Sequence, residues 1–212
     1  MTTWLHEQRL EAVRDVVVES GARSVLDLGC GDGDLLLRLA GDPRVDRIIG
    51  IDICGATIDR LRRSVRALPA GQAGKIDLQV GSMTELDPSL RGVDCAVLVE
   101  TIEHVDPALL SALERSVFHV LRPRLVVVTT PNAEFNPLLG VPSTRFRHPD
   151  HRFEWPRWRF RRWSEGAAAR ARYGVELKDV GGVHPTLGGA SQMAVFRRPS
   201  PATGQGATPP RS

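Results

Sequence analysis

Leu5, Leu10, Val13, Val16 and Val17 recur at helical spacing, and Ser20-Gly21 closes the pattern, so the chain is expected to open on a helix over 5–19. Beyond it, apolar runs of strand length at 24–28, 47–53, 76–80, 93–99 and 124–130 alternate with helical stretches at 34–40, 56–67 and 107–120. Repeated strand-helix order predicts a parallel sheet. Val25-Leu26, Ile48-Ile49, Ala96-Val97-Leu98-Val99 and Leu125-Val126-Val127-Val128 do not alternate with polar residues, as expected of strands covered on both faces. The fold class expected is therefore α/β, with an open, doubly wound, mostly parallel sheet. After Pro131 the pattern breaks into a long loop near 131–155, followed by a helix over 156–171 and strands over 175–180 and 190–196, seven strands in all. A loop of that length inside a compact domain is functional or disordered. Residues 199–212, with four prolines, two glycines and no large apolar side chain, are expected to form a disordered tail behind a domain spanning 1–198.

Composition narrows the class without naming a function. A chain of 212 residues, 42% hydrophobic and 25% charged, is an ordinary globular sequence large enough for one core. Its apolar runs are too short to span a bilayer, and its start has neither a basic n-region nor an apolar h-region, so a cytoplasmic protein without a membrane partner is expected. Cys30, Cys54 and Cys95 show no metal or disulfide spacing and are expected to act as small hydrophobes. The net charge of +3 hides an uneven distribution: between Arg145 and Arg172, nine arginines face three carboxylates and are interleaved with Phe146, Phe153, Trp155, Trp158, Phe160 and Trp163. Guanidinium forks for phosphates and rings for bases suit a nucleic-acid contact. A solvated basic helix face is the other reading, because 26 of the 28 basic residues are arginine wherever they fall.

Val25-Leu26-Asp27-Leu28-Gly29-Cys30-Gly31-Asp32-Gly33-Asp34 reads as strand, glycine turn and helix start, the place where an open α/β sheet takes a nucleotide-like ligand. A dinucleotide fingerprint has glycine at its sixth position, where this chain has Asp34; carboxylates at Asp27, Asp32 and Asp34 oppose a pyrophosphate and suit a sulfonium with an ammonium. The spacing resembles the first motif of S-adenosylmethionine-dependent methyltransferases. Asp52 follows at the end of a strand, placed for a ribose diol, and Gly81-Ser82-Met83 resembles the segment that lies against the adenine. The donor-binding residues expected are Asp27, Gly29, Gly31, Asp52, Ser82 and Met83.

The fourth strand ends in Glu100-Thr101-Ile102-Glu103-His104-Val105-Asp106-Pro107. If that turn is helical, Glu100, Glu103 and His104 fall at i, i+3 and i+4 on one face, a set suited to a divalent metal. A Glu-His pair before proline also occurs in methyltransferases that use no metal. Further on come Thr130-Pro131-Asn132-Ala133-Glu134-Phe135-Asn136 and Asp150-His151-Arg152-Phe153-Glu154-Trp155. Together the three motifs resemble the family of small-RNA 3′-terminal ribose 2′-O-methyltransferases, over roughly residues 20–197. The resemblance implies metal ligation by Glu100, Glu103, His104 and His151 as the catalytic centre; His148, three residues earlier, is a second candidate by spacing. It implies transfer of a methyl group from S-adenosylmethionine to the 2′-hydroxyl of the last ribose of RNA, the metal taking the vicinal 2′ and 3′ hydroxyls that only a terminal ribose leaves free.

Chemistry supports the same set. A ribose hydroxyl is a poor nucleophile at neutral pH and needs a base or a metal. The lysine-based alternative is unattractive, since the chain's two lysines, Lys75 and Lys178, lie away from strand ends that face the donor. Two carboxylates and two imidazoles are mixed oxygen and nitrogen ligation, which favours manganese over magnesium. Arg147, Arg152 and Arg157 are expected to hold RNA phosphates, with no DNA partner. Bacterial relatives carry a long N-terminal region linked to RNA repair, so this chain is expected to be a short form or a separated domain, with an RNA-repair protein as a candidate partner. The alternatives are a metal-independent small-molecule O- or C-methyltransferase and an idle RNA-binding module.

Overall fold

The computed structural model describes residues 4–199, so the expected tail lies outside the described residues apart from Pro199. Helix α1 (Trp4–Glu19) buries Leu10, Val13, Val16 and Val17, the residues whose spacing predicted it. Then follow β1 (Ser24–Leu28), α2 (Asp34–Ala40), β2 (Arg47–Asp52), α3 (Gly55–Arg66), the single turn α4 (Ala70–Ala73), β3 (Ile76–Val80) and β4 (Cys95–Val99). The second half holds α5 (Leu110–Glu114), β5 (Leu125–Pro131), α6 (Arg157–Ala171), β6 (Gly174–Val180) and β7 (Ser191–Arg197).

The seven strands form one sheet in the order β3-β2-β1-β4-β5-β7-β6. The first five are parallel and β7 runs antiparallel between β5 and β6, as a mostly parallel doubly wound sheet requires. Strand β5 is buried at all seven positions, because helices cover both of its faces. Each face has its own apolar cluster. Leu26, Leu98, Val128, Phe160 and Phe196 belong to one, and Val13, Val25, Ile48, Leu61 and Val127 to the other. The reversal of strand order between β1 and β4 opens a crevice at their carboxyl ends.

Three local departures have physical causes. The helix expected over 107–120 is split into a 3-10 turn Pro107–Leu109, α5 and a wider π-helical stretch Arg115–Leu121, and the Asp106 side chain starts it by accepting from Ala108 N at 2.9 Å. The turn after β4 is not a helix that includes Glu100. It is a 3-10 turn Ile102–His104, and Glu100 stands before it with φ of 50°, so an i, i+3, i+4 face is not what unites the three residues. Finally, the loop near 131–155 is structured: Ala133–Leu139 forms a 3-10 helix, and Asn132 pairs with Trp155 in a parallel bridge that ties the loop's two ends together. None of these follows from hydrophobic spacing.

Candidate active site

Two cavities meet at the end of β4. The first, of about 210 Å3, is walled by Gly29, Asp52, Ile53, Ser82, Met83, Thr101 and His104, among others. Its floor is the glycine turn. Gly29 sits at φ of 75°, and a Cβ there would stand 2.2 Å from Thr101 Cγ2, so both conformation and space demand glycine. The turn hangs on β2, with Gly29 N donating to Ile51 O at 2.8 Å and Gly31 N to Asp52 Oδ2 at 3.0 Å. Asp52 Oδ1 also accepts from Cys54 N at 2.8 Å.

Asp27 is 3% exposed, and burial, reinforced by the Asp52 charge, pushes its carboxyl up to about 7. The other carboxylates of the motif are engaged elsewhere. Asp32 pairs with Arg60 at 2.8 Å and Asp34 with His6 at 3.0 Å, and none of Asp27, Gly31, Asp32 and Asp34 is on the cavity's wall, so its acidic side chains are Asp52 and Asp106 rather than three adjacent charges of the turn. Ile53, missed in the sequence, is 77% exposed on this wall, an apolar side chain left for a flat ligand. Cys54, expected inside, is also exposed, while Cys30 and Cys95 are buried and burial raises their thiols.

The second cavity, of about 420 Å3, is lined by Arg9, Glu100, Glu103, His104, Arg147, His148 and His151, among others. His104 belongs to both cavities. All four residues implied as metal ligands lie on this second wall. The tightest group within it is His104, His148 and His151, whose nearest ring nitrogens all lie within 4.8 Å of one another. Both histidines that spacing left open therefore come to the site, whereas Glu100 and Glu103 share the cavity without joining that tight cluster.

The carboxylates carry unmet hydrogen-bonding capacity. Glu103 is fully buried; its Oε2 accepts from Thr130 Oγ1 at 2.9 Å while its Oε1 has no partner. Burial, followed by the neighbouring Glu100 charge, raises its pKa well above the ordinary carboxylate value. Glu100 Oε1 is likewise buried and unpartnered, and its Oε2 faces Arg9 Nη1 at 3.2 Å. Orphaned buried oxygens of this kind are costly unless a cation or a donor meets them. Arg9, on α1 some ninety residues upstream of Glu100, gave no sequence signal beyond a charge on an amphipathic helix; it also donates to Ser191 Oγ at 3.1 Å.

The loop that delivers the histidines is a polar mesh centred on Glu154. His151 Nδ1 lies 2.6 Å from Glu154 Oε1, Asn136 Nδ2 donates to Oε2 at 2.6 Å, and Arg147 N donates to Oε1 at 2.7 Å. Burial alone would raise the Glu154 carboxyl, but these three donors hold it below its ordinary value. An ionised Glu154 accepts the Nδ1 proton of His151 and leaves the Nε2 lone pair for the cavity, the arrangement that orients metal-bound imidazoles. His104 is held below the usual imidazole range by burial and by its two histidine neighbours, hence neutral and able to ligate near pH 7.

Two expected phosphate holders have other employment. Arg147 donates through Nε to Asn136 Oδ1 at 2.6 Å, through Nη1 to Ala190 O at 2.8 Å and through Nη2 to Asn132 O at 2.6 Å, so its fork braces the loop against β7. Arg157 is tied to Glu134 by its backbone and Nε and to Thr186 O by Nη2 at 2.7 Å. Arg152 alone of the three is exposed; its backbone N donates to Glu103 O at 2.7 Å, fastening the histidine loop to the β4 turn.

Residues 25–124 match the model of a methyltransferase domain. With the sheet order and the glycine-floored cavity, this defines an S-adenosylmethionine-dependent methyltransferase fold. Over 210 residues the chain is 37% identical to the small RNA 2′-O-methyltransferase of Gallus gallus, covering 94% of this chain and 55% of the relative, and 35% identical to that of Arabidopsis thaliana. The methyltransferase domain of a bacterial Hen1 is 34% identical and superposes with a TM-score of 0.82 over 91% of this chain and 99% of that one. The small RNA methyltransferase HEN1 is 36% identical with a TM-score of 0.84, covering 92% of this chain and 26% of that one. The chain belongs to the small RNA 2′-O-methyltransferase family. It spans about half the length of the curated animal relatives it matches.

Proposed function

We propose that this chain transfers the methyl group of S-adenosylmethionine to the 2′-hydroxyl of the 3′-terminal ribose of RNA. The observation that carries the reading is the shared wall at His104, which sets a cavity suited to the donor against one whose side chains suit a metal and a diol. Asp52 would hold the donor ribose and Ile53 and Met83 would face the flat adenine, while Asp27, the residue expected for the cationic end, is buried and is not on that wall. In the transfer, the 2′ oxygen bonds to the methyl carbon as the carbon-sulfur bond breaks, leaving S-adenosylhomocysteine and releasing the hydroxyl proton.

The acceptor cavity fits a divalent cation. Glu103 and Glu100 each keep a buried unpartnered oxygen, and His104 and His151 offer imidazole nitrogens, so Glu100, Glu103, His104 and His151 would hold it. A bound manganese or magnesium ion would supply Lewis acidity to the vicinal 2′ and 3′ hydroxyls that only a terminal ribose carries free. Mixed oxygen and nitrogen donors favour manganese. Glu154 positions His151, Arg147 braces the loop, and the exposed Arg152, whose backbone N donates to Glu103 O, is the phosphate contact. An RNA-repair partner follows from the resemblance and, with the cytoplasmic site of action expected from the composition, is part of the same proposal. Among the described residues no helix is long and apolar enough to cross a membrane.

The test is transfer of labelled methyl from S-adenosylmethionine to short RNAs ending in a 2′,3′-diol or a 2′-deoxy sugar, with manganese or with chelator. Label that needs both the diol and the metal is the expected result. Tight donor binding without label on RNA would move the acceptor to a small molecule.

A further inference from the structure

Outside the two cavities, the N-terminal half of α6 presents a surface that the transfer chemistry leaves unused. The helix buries Phe160, Ser164, Ala167, Ala168 and Ala171 and turns Trp158, Arg159, Arg161 and Arg162 to solvent. Trp158 is 62% exposed, an unusual position for the largest apolar side chain. It is the ridge between two grooves. One, of about 380 Å3, is lined by Leu110, Trp155, Arg159, Arg162 and Trp163; on the ridge's other side, Arg161 and Lys178 line the second.

The guanidiniums of the first groove are largely uncommitted. Among the described residues no carboxylate pairs with the groove's Arg159 or Arg162, nor with the exposed Arg152 on the loop before α6, whereas Arg170, which also lines the groove, is held by Glu114 at 2.6 Å. Arg159 lies 5.4 Å from the centre of the Trp155 ring, a cation held over an aromatic face. Exposed cations beside an exposed indole match a polyanion whose units carry flat faces. An unpaired nucleotide offers both groups at once, while a paired base keeps its face inside the duplex.

One loop links the groove to the acceptor cavity: His151 lines the cavity and Trp155, four residues on, lines the groove. From Glu103, whose carbonyl accepts from Arg152 N at 2.7 Å, the chain runs through Phe153, stacked on Trp155 at 4.2 Å, to Arg159 over that same Trp155 ring. We infer that this groove, with Trp158 as a stacking platform and Arg152, Arg159 and Arg162 as phosphate contacts, holds the unpaired nucleotides that precede the 3′ end. The inference deepens the proposed function and rests on it for the direction of the strand. It makes the 3′ end of a single strand the preferred acceptor over a blunt duplex end.

The test uses the whole chain, an RNA of about nine nucleotides, a blunt duplex of the same sequence and a dinucleotide too short to reach the groove. Trp158→Ala should weaken binding of the single strand about tenfold, with Trp158→Phe restoring most of it. Arg159→Ala with Arg162→Ala should reduce the slope of log affinity against log salt by about 1.4, for two phosphates lost. Methylation of the longer RNA should show a raised KM at unchanged kcat, and methylation of the dinucleotide should not change. Variants that bind the longer RNA like the parent, a duplex bound as tightly as the single strand, or a dinucleotide that suffers equally would each overturn the inference. If the parent chain methylates neither RNA, the proposed function fails, and the binding arms still decide the groove.

Discussion

The cavity proposed for the donor and the cavity proposed for the acceptor share one residue, His104, and are built on opposite principles. The donor side is made of backbone: a glycine turn hung from Ile51 O, a strand-end carboxylate held by two amides, and an apolar wall. The acceptor side is made of charge: two carboxylates with orphaned oxygens, three imidazoles and two guanidiniums, delivered by α1, the β4 turn and a loop tied to β5. The first is complete with its own main-chain hydrogen bonds. The second holds buried polar atoms that only a bound cation or substrate would satisfy, and a surrounding mesh keeps them in place. Buried charge left unmet is expensive, so its persistence at the acceptor side marks where binding energy is available.

If the two halves are separable, His151→Ala should abolish methyl transfer, by about a thousandfold or more, while S-adenosylmethionine binds as before. Parallel measurement of labelled transfer and of donor affinity checks it, and a matching loss of donor binding would break the separation. The loop's dependence on Glu154 gives the next effect. Glu154→Gln removes the charge that fixes the His151 tautomer, and manganese affinity should fall about 10–100-fold, read by titration calorimetry without any turnover. Unchanged affinity would show that packing alone orients His151.

The smallest effect belongs to the donor side. Asp27 has a carboxyl raised to about 7 in the fold against an ordinary 3.8, so the folded state holds a proton that the unfolded chain releases. The ligand-free protein should therefore lose stability as pH rises from about 4 to about 7, by about 1–2 kcal/mol once relaxation around the buried carboxylate is allowed for. Asp27→Asn should flatten that part of the profile, making the variant the more stable protein at pH 8 in thermal melts. An unchanged slope would place the titration elsewhere.

Spacing in the sequence determined the parallel core and the donor turn. Strand runs such as Val97-Leu98 and Val126-Val127 lie within a residue or two of where they were expected, because burial on both faces leaves an uninterrupted apolar signature. The glycine turn was legible for a similar reason: its function resides in a few contiguous residues whose backbone does the work. The four implied ligands were readable as residue types in motifs, and they do line one cavity, but not by the helical face that spacing offered for Glu100.

Only the tertiary structure decided the rest. It brought Arg9 to Glu100, set His148 among the histidines, made Glu154 the anchor of His151, and committed Arg147 and Arg157 to the protein's own carbonyls and carboxylates. Each of these is a side-chain contact between elements far apart in the chain or across an irregular loop. Periodicity reports which face of an element is buried. What a charged group on that element finally touches depends on how the elements dock.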